Sequence, residues 1–294
     1  MHLSYMLSIA LGATTQAFSF SEISSHTHDA LTTFKRSLPT LLNRRDGGGS
    51  CPPIWGQVAR DLSKMFLDTS SGQCNDDARA AIRLVFHDCG TWDTSQGGTG
   101  GCDGSLVNTI GLTAPGAEEL SRSENNGLQD ISLKLVNLRK KFPTVSMADL
   151  IVFASSVAVA SCPGGPVVKT FIGRKDSAKP APDGRLPDVS ASANSLFALF
   201  QAKGFNAKEL AALLGAHSTS KSFHQSVVPE GCSQDSTPGL WDVAYYAETL
   251  NPPMGKNVGV FPSDAKLAVH PQVGKEFKGF VGATGKWNSA FADA

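Results

Sequence analysis

The chain has 294 residues, 41% of them apolar and 18% charged, with 26 Lys plus Arg set against 26 Asp plus Glu. Such a chain can bury a sizeable core, as one large domain or two lobes, and does not need staples to fold. The even charge balance excludes an electrostatic footprint for nucleic acid or for an anionic membrane surface, and a neutral or weakly charged partner fits better.

In chain order, Leu3 to Ala13 form a mostly apolar stretch, preceded by His2 and followed by Thr15-Gln16-Ala17, which has the small-x-small form of a signal-peptidase site. Residues 1–17 read as a signal peptide, too short to span a bilayer. From 18 to 50 the composition turns polar and closes on Arg44-Arg45 and Gly47-Gly48-Gly49. That segment reads as a linker or pro-segment, with the dibasic pair either a processing site or an ordinary solvated pair.

Helical spacing then dominates. Trp55, Val58, Leu62, Met65 and Phe66 recur at three and four, as do Leu128, Ile131, Leu135, Leu138 and Phe142. Asn75 with Asp76 and Asp77 starts a helix running to about His87, by capping and first-turn charge. Ser146 opens another that Cys162-Pro163-Gly164 must stop. Ala193 to Lys203 is predicted helical and ends at Gly204, after which Asn206 and Glu209 make a capping box for a helix whose last turn carries His217. Short extended pieces are expected around Val167 to Ile172. The predicted architecture is mainly α, with minor β and long functional loops.

The six cysteines are at positions 51, 74, 89, 102, 162 and 232. An even number behind a leader reads as three disulfides, though six cysteines allow 15 pairings. Without any C-x-x-C or H-x-x-x-H pair, a zinc site is a poor alternative.

Arg83 and His87 stand four apart, so one helix face presents both. A neutral imidazole can take a proton from one peroxide oxygen and return it to the other, while a fixed guanidinium steadies charge growing on the departing oxygen. At this spacing alone the pair would be an ordinary helix face, so the surrounding residues decide.

Arg83-Leu84-Val85-Phe86-His87-Asp88-Cys89 resembles the distal haem motif of the plant and fungal peroxidase superfamily, and Leu213-Leu214-Gly215-Ala216-His217-Ser218 resembles its proximal motif. Glu124-Asn125-Asn126-Gly127-Leu128 looks like the segment whose first Asn orients the distal His, and Phe261-Pro262-Ser263-Asp264 like the one bearing the proximal Asp. The resemblance covers about 51–294 and is nearest to the secreted fungal peroxidases, the group with the lignin and manganese peroxidases. It implies a haem peroxidase domain of two helical lobes sandwiching haem b. Arg83, Phe86, His87 and Asn125 would line the peroxide pocket, with His217 on the iron and Asp264 behind it.

The resemblance also implies two calcium ions, one held by Asp88, the Gly101 carbonyl, Asp103 and Ser105, the other by Ser218, Asp235, Thr237, Leu240 and Asp242. It pairs Cys74 with Cys162 and Cys89 with Cys102, leaving Cys51 with Cys232. Pro187 matches the position whose carbonyl orients small substrates. The implied activity is oxidation of small phenolic or aromatic reductants by hydrogen peroxide through the oxidised haem, in a secreted, extracellular monomer without nucleic-acid or membrane partners.

Three departures bear on substrate. The three carboxylates of a manganese site correspond to Asp76, Ala80 and Phe223, and one carboxylate does not hold manganese specifically. The surface Trp used by lignin peroxidases is Ala212, with Trp241 and Tyr246 as candidate substitutes or, more simply, core residues. Gln234 stands where a bulky apolar side chain is usual beside the proximal His, which bears on redox potential.

Overall fold

The computed structural model describes residues 52–95, 97–98, 100–108 and 117–294. The expected signal peptide, the linker and Cys51 lie outside the described residues.

Helix α1 (Ile54–Phe66) buries Trp55, Val58, Ala59, Leu62 and Phe66, the spacing read from the sequence. α2 (Asp76–Cys89) begins where the Asn75 side chain accepts the Ala78 N–H, with Asp76 and Asp77 in its positive first turn. Such a cap contributes about 1 kcal/mol. The Asn75 amide also donates to the Met65 carbonyl at 2.8 Å, tying α2 back to α1.

Short helices α3 (Ser105–Asn108) and α4 (Ala117–Ser121) and a 3₁₀ turn (Ser123–Asn125) lead to α5 (Gln129–Lys141). α6 (Met147–Ser161) is capped by the Ser146 side chain, which accepts the Asp149 N–H, and it is buried on almost every face, as its nearly unbroken apolar sequence requires. It is the central post of the first lobe, packed on α1, α2 and α5. The Cys74–Cys162 disulfide joins the start of α2 to the end of α6, and Cys89–Cys102 closes the loop behind α2, both as the resemblance implied.

The second lobe holds α7 (Ala193–Ala202), α8 (Ala207–Leu214), α9 (Ala244–Leu250), α10 (Pro262–Ala268), α11 (Val273–Lys278) and α12 (Thr284–Asp293). Here α8 packs on α11 and α12, and α10 on α7 and α11. The strongest helix packings fall within one lobe or the other. Between them run contacts such as the Arg79 guanidinium to the Pro238 carbonyl at 2.7 Å and Phe86 stacked on Phe200 at 6.1 Å.

Two expectations are corrected. The Asn206–Glu209 capping box forms, but α8 ends at Leu214 and His217 lies in a following 3₁₀ turn, Gly215–Thr219. The backbone there runs hard against the second lobe's core. A Cβ on Gly215 would sit 2.4 Å from both the Trp287 indole nitrogen and the Tyr246 hydroxyl. The segment 167–172 forms no strand, because no neighbour pairs with it. β-structure among the described residues is confined to isolated bridges, Leu67 with Cys74, Lys221 with Ser233 and Ser233 with Val258. No described helix is long and apolar enough to cross a membrane.

Candidate active site

His87 sits in the last turn of α2 and Arg83 one turn earlier. His87 Nδ1 lies 2.8 Å from Asn125 Oδ1, and Arg83 Nε donates to His87 Nε2 at 3.2 Å. Asn125 is itself oriented, since its amide nitrogen donates to the Glu119 carbonyl at 2.6 Å and so presents its oxygen to the histidine. The proton therefore sits on Nδ1, and Nε2 keeps its lone pair.

The guanidinium is held as firmly. Its two terminal nitrogens donate to the carbonyls of Asn126 and Glu124 at 2.8 and 2.6 Å, the same turn that carries Asn125. Gly127 closes that turn at φ +85°, against the His224 ring, where a Cβ would meet ring atoms at 2.2 Å. Burial, reinforced by the Arg83 charge and only partly opposed by Asn125, lowers the His87 pKa to about 3. Burial also brings Arg83 down to about 10, still cationic. The pair is thus a neutral base beside a fixed cation at any ordinary pH.

Phe86 packs edge-on to His87 at 5.9 Å. The loop with Pro187 reaches the same aromatic, for a Cβ on Gly90 would lie 3.1 Å from Leu186 and 3.2 Å from the Phe86 ring. Arg185, two residues before Pro187, pairs with the buried Asp93 and fixes this loop.

Across the lobes, His217 Nδ1 is 2.7 Å from the Asp264 carboxylate. Burial pulls the pKa of His217 down, but the Asp264 charge and hydrogen bond outweigh it and leave it raised. With Nδ1 engaged, Nε2 is the atom for a ligand, and the carboxylate behind it makes it a stronger donor. Tyr245 and Phe261 wall the ring edge-on at 5.8 and 5.6 Å. This donor set fits a haem iron.

Gln234 is buried, with its amide nitrogen on the Gly259 carbonyl at 3.4 Å and its oxygen without a hydrogen-bond partner among the described residues. Its polarity does lie inside the proximal lobe.

The residues of the two expected cation sets are linked by hydrogen bonds. Asp88 is fully buried and accepts the Gly104 N–H at 3.0 Å, while Asp103 accepts the Ser105 N–H at 3.0 Å and donates its own N–H to the Gly101 carbonyl at 2.8 Å. On the other side Thr237 bridges the second set, with its N–H on Asp235, its hydroxyl on Asp242 at 2.9 Å and its carbonyl accepting the Leu240 N–H. The Lys221–Ser233 bridge, with the Gln234 N–H on the Ser220 carbonyl at 3.3 Å, brings the residues just after Ser218 beside those just before Asp235.

Buried oxygens of Ser105, Glu119, Ser218 and Asp235 have no hydrogen-bond partner among the described residues. Burial raises Asp88 and Asp235 to about 8, and neighbouring carboxylates add to it. Orphaned oxygens and destabilised carboxylates together are the environment a hard cation relieves. No cluster of three His, Cys, Asp or Glu side chains forms among the described residues, so such a cation would depend on hydroxyl and carbonyl oxygens as well.

Two contributors were missed in the sequence. Glu119 holds Asn125 through its carbonyl and the Ala181 N–H through its carboxylate, and it faces Asp88. Glu248 receives the N–H and hydroxyl of Ser236 beside Asp235. Neither lies in a recognisable motif; only tertiary contacts reveal them.

Trp241 and Tyr246 are core residues at 1% and 0% exposure, which removes them as surface aromatics. Ala212 is also buried, its carbonyl accepting the Trp287 indole N–H at 3.0 Å. The expected Cys51–Cys232 pair falls partly outside the described residues. Cys232 is buried, and its thiol donates to Asn257 Oδ1 at 2.9 Å.

A family model described as Peroxidase matches residues 58–282. The chain is 31% identical over 263 residues to Manganese peroxidase 3 of Phlebia radiata, covering 81% of this chain and 69% of that protein. It is 32% identical over 279 residues to Ligninase LG2 of Phanerodontia chrysosporium, covering 86% and 71%. Ligninase A of the same organism gives 32% over 269 residues, covering 83% and 69%. With this match laid over an oriented Arg–His pair in one lobe and a carboxylate-backed histidine in the other, the chain belongs to the peroxidase family and is a haem peroxidase that uses peroxide.

Proposed function

We propose that this enzyme oxidises small phenolic or aromatic reductants with hydrogen peroxide, and that it uses neither a manganese site nor a surface aromatic radical. The observation that carries this reading is the distal pair: a neutral His87 with its lone pair on Nε2, against a cationic Arg83 tied to two carbonyls.

His217 would hold the haem through Nε2, with Asp264 fixing the ring. Haem, when bound, supplies an iron that takes up the two oxidising equivalents of peroxide. His87 Nε2 takes the proton from one peroxide oxygen and hands it to the other, which leaves as water. Asn125 keeps the tautomer that allows this, and Arg83 neutralises charge on the departing oxygen. Each reductant then gives up one electron and one proton near Leu186 and Pro187, whose loop borders Phe86.

Manganese is disfavoured by charge as well as by ligand count. Asp76 is engaged by Arg79 at 2.7 Å and by Lys221 at 3.7 Å, and Ala80 and Phe223 add no carboxylate. A carboxylate already matched by two cations offers a divalent ion little. Two calcium ions, on the ligand sets around Asp88 and Asp235, would fix the chain beside each histidine. A secreted monomer is the form this reading favours, on the strength of the leader-like residues 1–17 and of two disulfides that persist in oxidising compartments.

The test gives haem-loaded, calcium-loaded protein hydrogen peroxide with a phenol, with manganese, or with a high-potential non-phenolic dye. Turnover of the phenol without saturable manganese dependence is expected. Saturable manganese kinetics in the micromolar range would overturn the substrate reading.

A further inference from the structure

The proximal lobe carries a file of aromatic side chains that the peroxide chemistry leaves unused. From His217 the ring of Tyr245 is 5.8 Å away, from Tyr245 to Tyr246 is 5.2 Å, and from Tyr246 to Trp287 is 5.8 Å. Trp287 then stacks on Trp241 at 4.9 Å with the planes only 10° apart. All four side chains are essentially buried.

We propose that the stacked Trp241–Trp287 pair is a reservoir for an oxidising equivalent, joined to His217 through Tyr245 and Tyr246. It serves when peroxide is present and reductant is not. The inference rests on His217 holding the haem.

The chemistry of the file assigns the resting place. A phenol is oxidised easily only if its proton can leave. The Tyr246 hydroxyl donates to the Ala211 carbonyl at 2.9 Å, an acceptor that cannot take the proton, and Tyr245 is fully buried beside it. An indole can lose an electron and keep its proton.

Trp287 donates its N–H to the Ala212 carbonyl and Trp241 to Asn288 Oδ1 at 3.1 Å, both neutral acceptors that turn negative dipole ends toward the ring. Offset-stacked faces share the positive charge, as a cation is shared by an aromatic face. The balance is simple. The pair loses one electron, the peroxide-oxidised haem gains it, no bond breaks and no proton moves. The hole returns when the haem is next reduced and draws on an outside phenol.

Burial distinguishes this role from substrate oxidation. A bulky reductant cannot touch rings that are 0–1% exposed, so the pair stores an equivalent rather than delivering it.

Holoenzyme is mixed with peroxide in the absence of reductant, frozen within milliseconds and examined by electron paramagnetic resonance, with its Soret band recorded in the same sample. An organic radical is expected whose hyperfine structure narrows when the protein is grown on ring-deuterated tryptophan, a change that leaves folding untouched. Trp241→Phe and Trp287→Phe should each remove most of that signal, and the double variant should bleach after several-fold fewer peroxide equivalents. A radical insensitive to labelled tryptophan but narrowed by labelled tyrosine would overturn the proposal, as would no protein radical in a sample whose haem has reacted. Failure of the underlying reading registers differently, as a protein with no Soret band, and would take this proposal with it.

Discussion

The distal histidine is chemically defined by its neighbours rather than by its own sequence position. Nδ1 faces Asn125 Oδ1, which fixes the tautomer, while burial first and the Arg83 charge second hold the ring neutral with a pKa of about 3 against the smaller upward pull of the Asn125 hydrogen bond. The second-order reaction with peroxide should therefore stay level from neutrality down through pH 5, with an acid limb only as the pH approaches 3. Stopped-flow rates across that range check it, and a limb near pH 6.5 would mean that the ring titrates like a solvated histidine. The same depression affects stability. The unfolded chain binds a proton below about 6.5 that the folded ring refuses, so His87 subtracts stability as pH falls from there toward 3. On the opposite side, His217→Ala removes the proposed iron ligand and should abolish the Soret band of haem-reconstituted protein; a normal band would end the proximal assignment.

At the scale of elements, each histidine of the proposed site is followed by a residue of a proposed cation site: Asp88 after His87, Ser218 after His217. Calcium there should act on the ends of α2 and of the 3₁₀ turn, not on the chemistry itself. The carboxylates give the prediction its sign. Without a cation Asp88 and Asp235 have pKa values raised to about 8, against about 3.9 in an unfolded chain, so the folded state holds protons the unfolded state has lost. Stability of chelated protein should fall as pH rises from about 4 to 8, and that slope should vanish in the calcium-loaded form, which stabilises the ionised carboxylates. Thermal melts at several pH values, with and without calcium, measure both. Identical pH slopes in the two forms would remove calcium from the account.

The helices themselves were largely legible in the sequence. Spacing and caps located α1, α2, α5, α6, α7 and α8 within a few residues, because each carries a single apolar face or a side-chain cap. The turn holding His217 was not, since its tightening comes from Trp287 and Tyr246 pressing on Gly215 from distant parts of the chain. The extended piece at 167–172 failed for the converse reason, as β-structure depends on a partner that local sequence does not supply.

At the scale of the whole molecule, the proposed site draws its residues from both lobes. Arg83 and His87 belong to the first, His217 and Asp264 to the second, and the strongest helix packing stays within each lobe. Motifs disclosed these residues because four positions on a helix, or a histidine with a downstream aspartate, leave a local trace. Glu119 and the Asp93–Arg185 pair left none, their partners lying 62 and 92 residues away. The aromatic file of Tyr245, Tyr246, Trp287 and Trp241 was visible only as single rings until the fold stacked them.

As the proposed acid–base group for peroxide cleavage at a haem held from the opposite lobe, His87 should set the rate of reaction with peroxide. The most direct measurement is the second-order rate constant for hydrogen peroxide with haem-loaded wild type and His87→Leu, each first shown to carry a normal Soret band. The variant should react more slowly by a factor of about 10² to 10⁴, the usual contribution of a positioned general acid–base group. Equal rates in the two proteins would contradict the account.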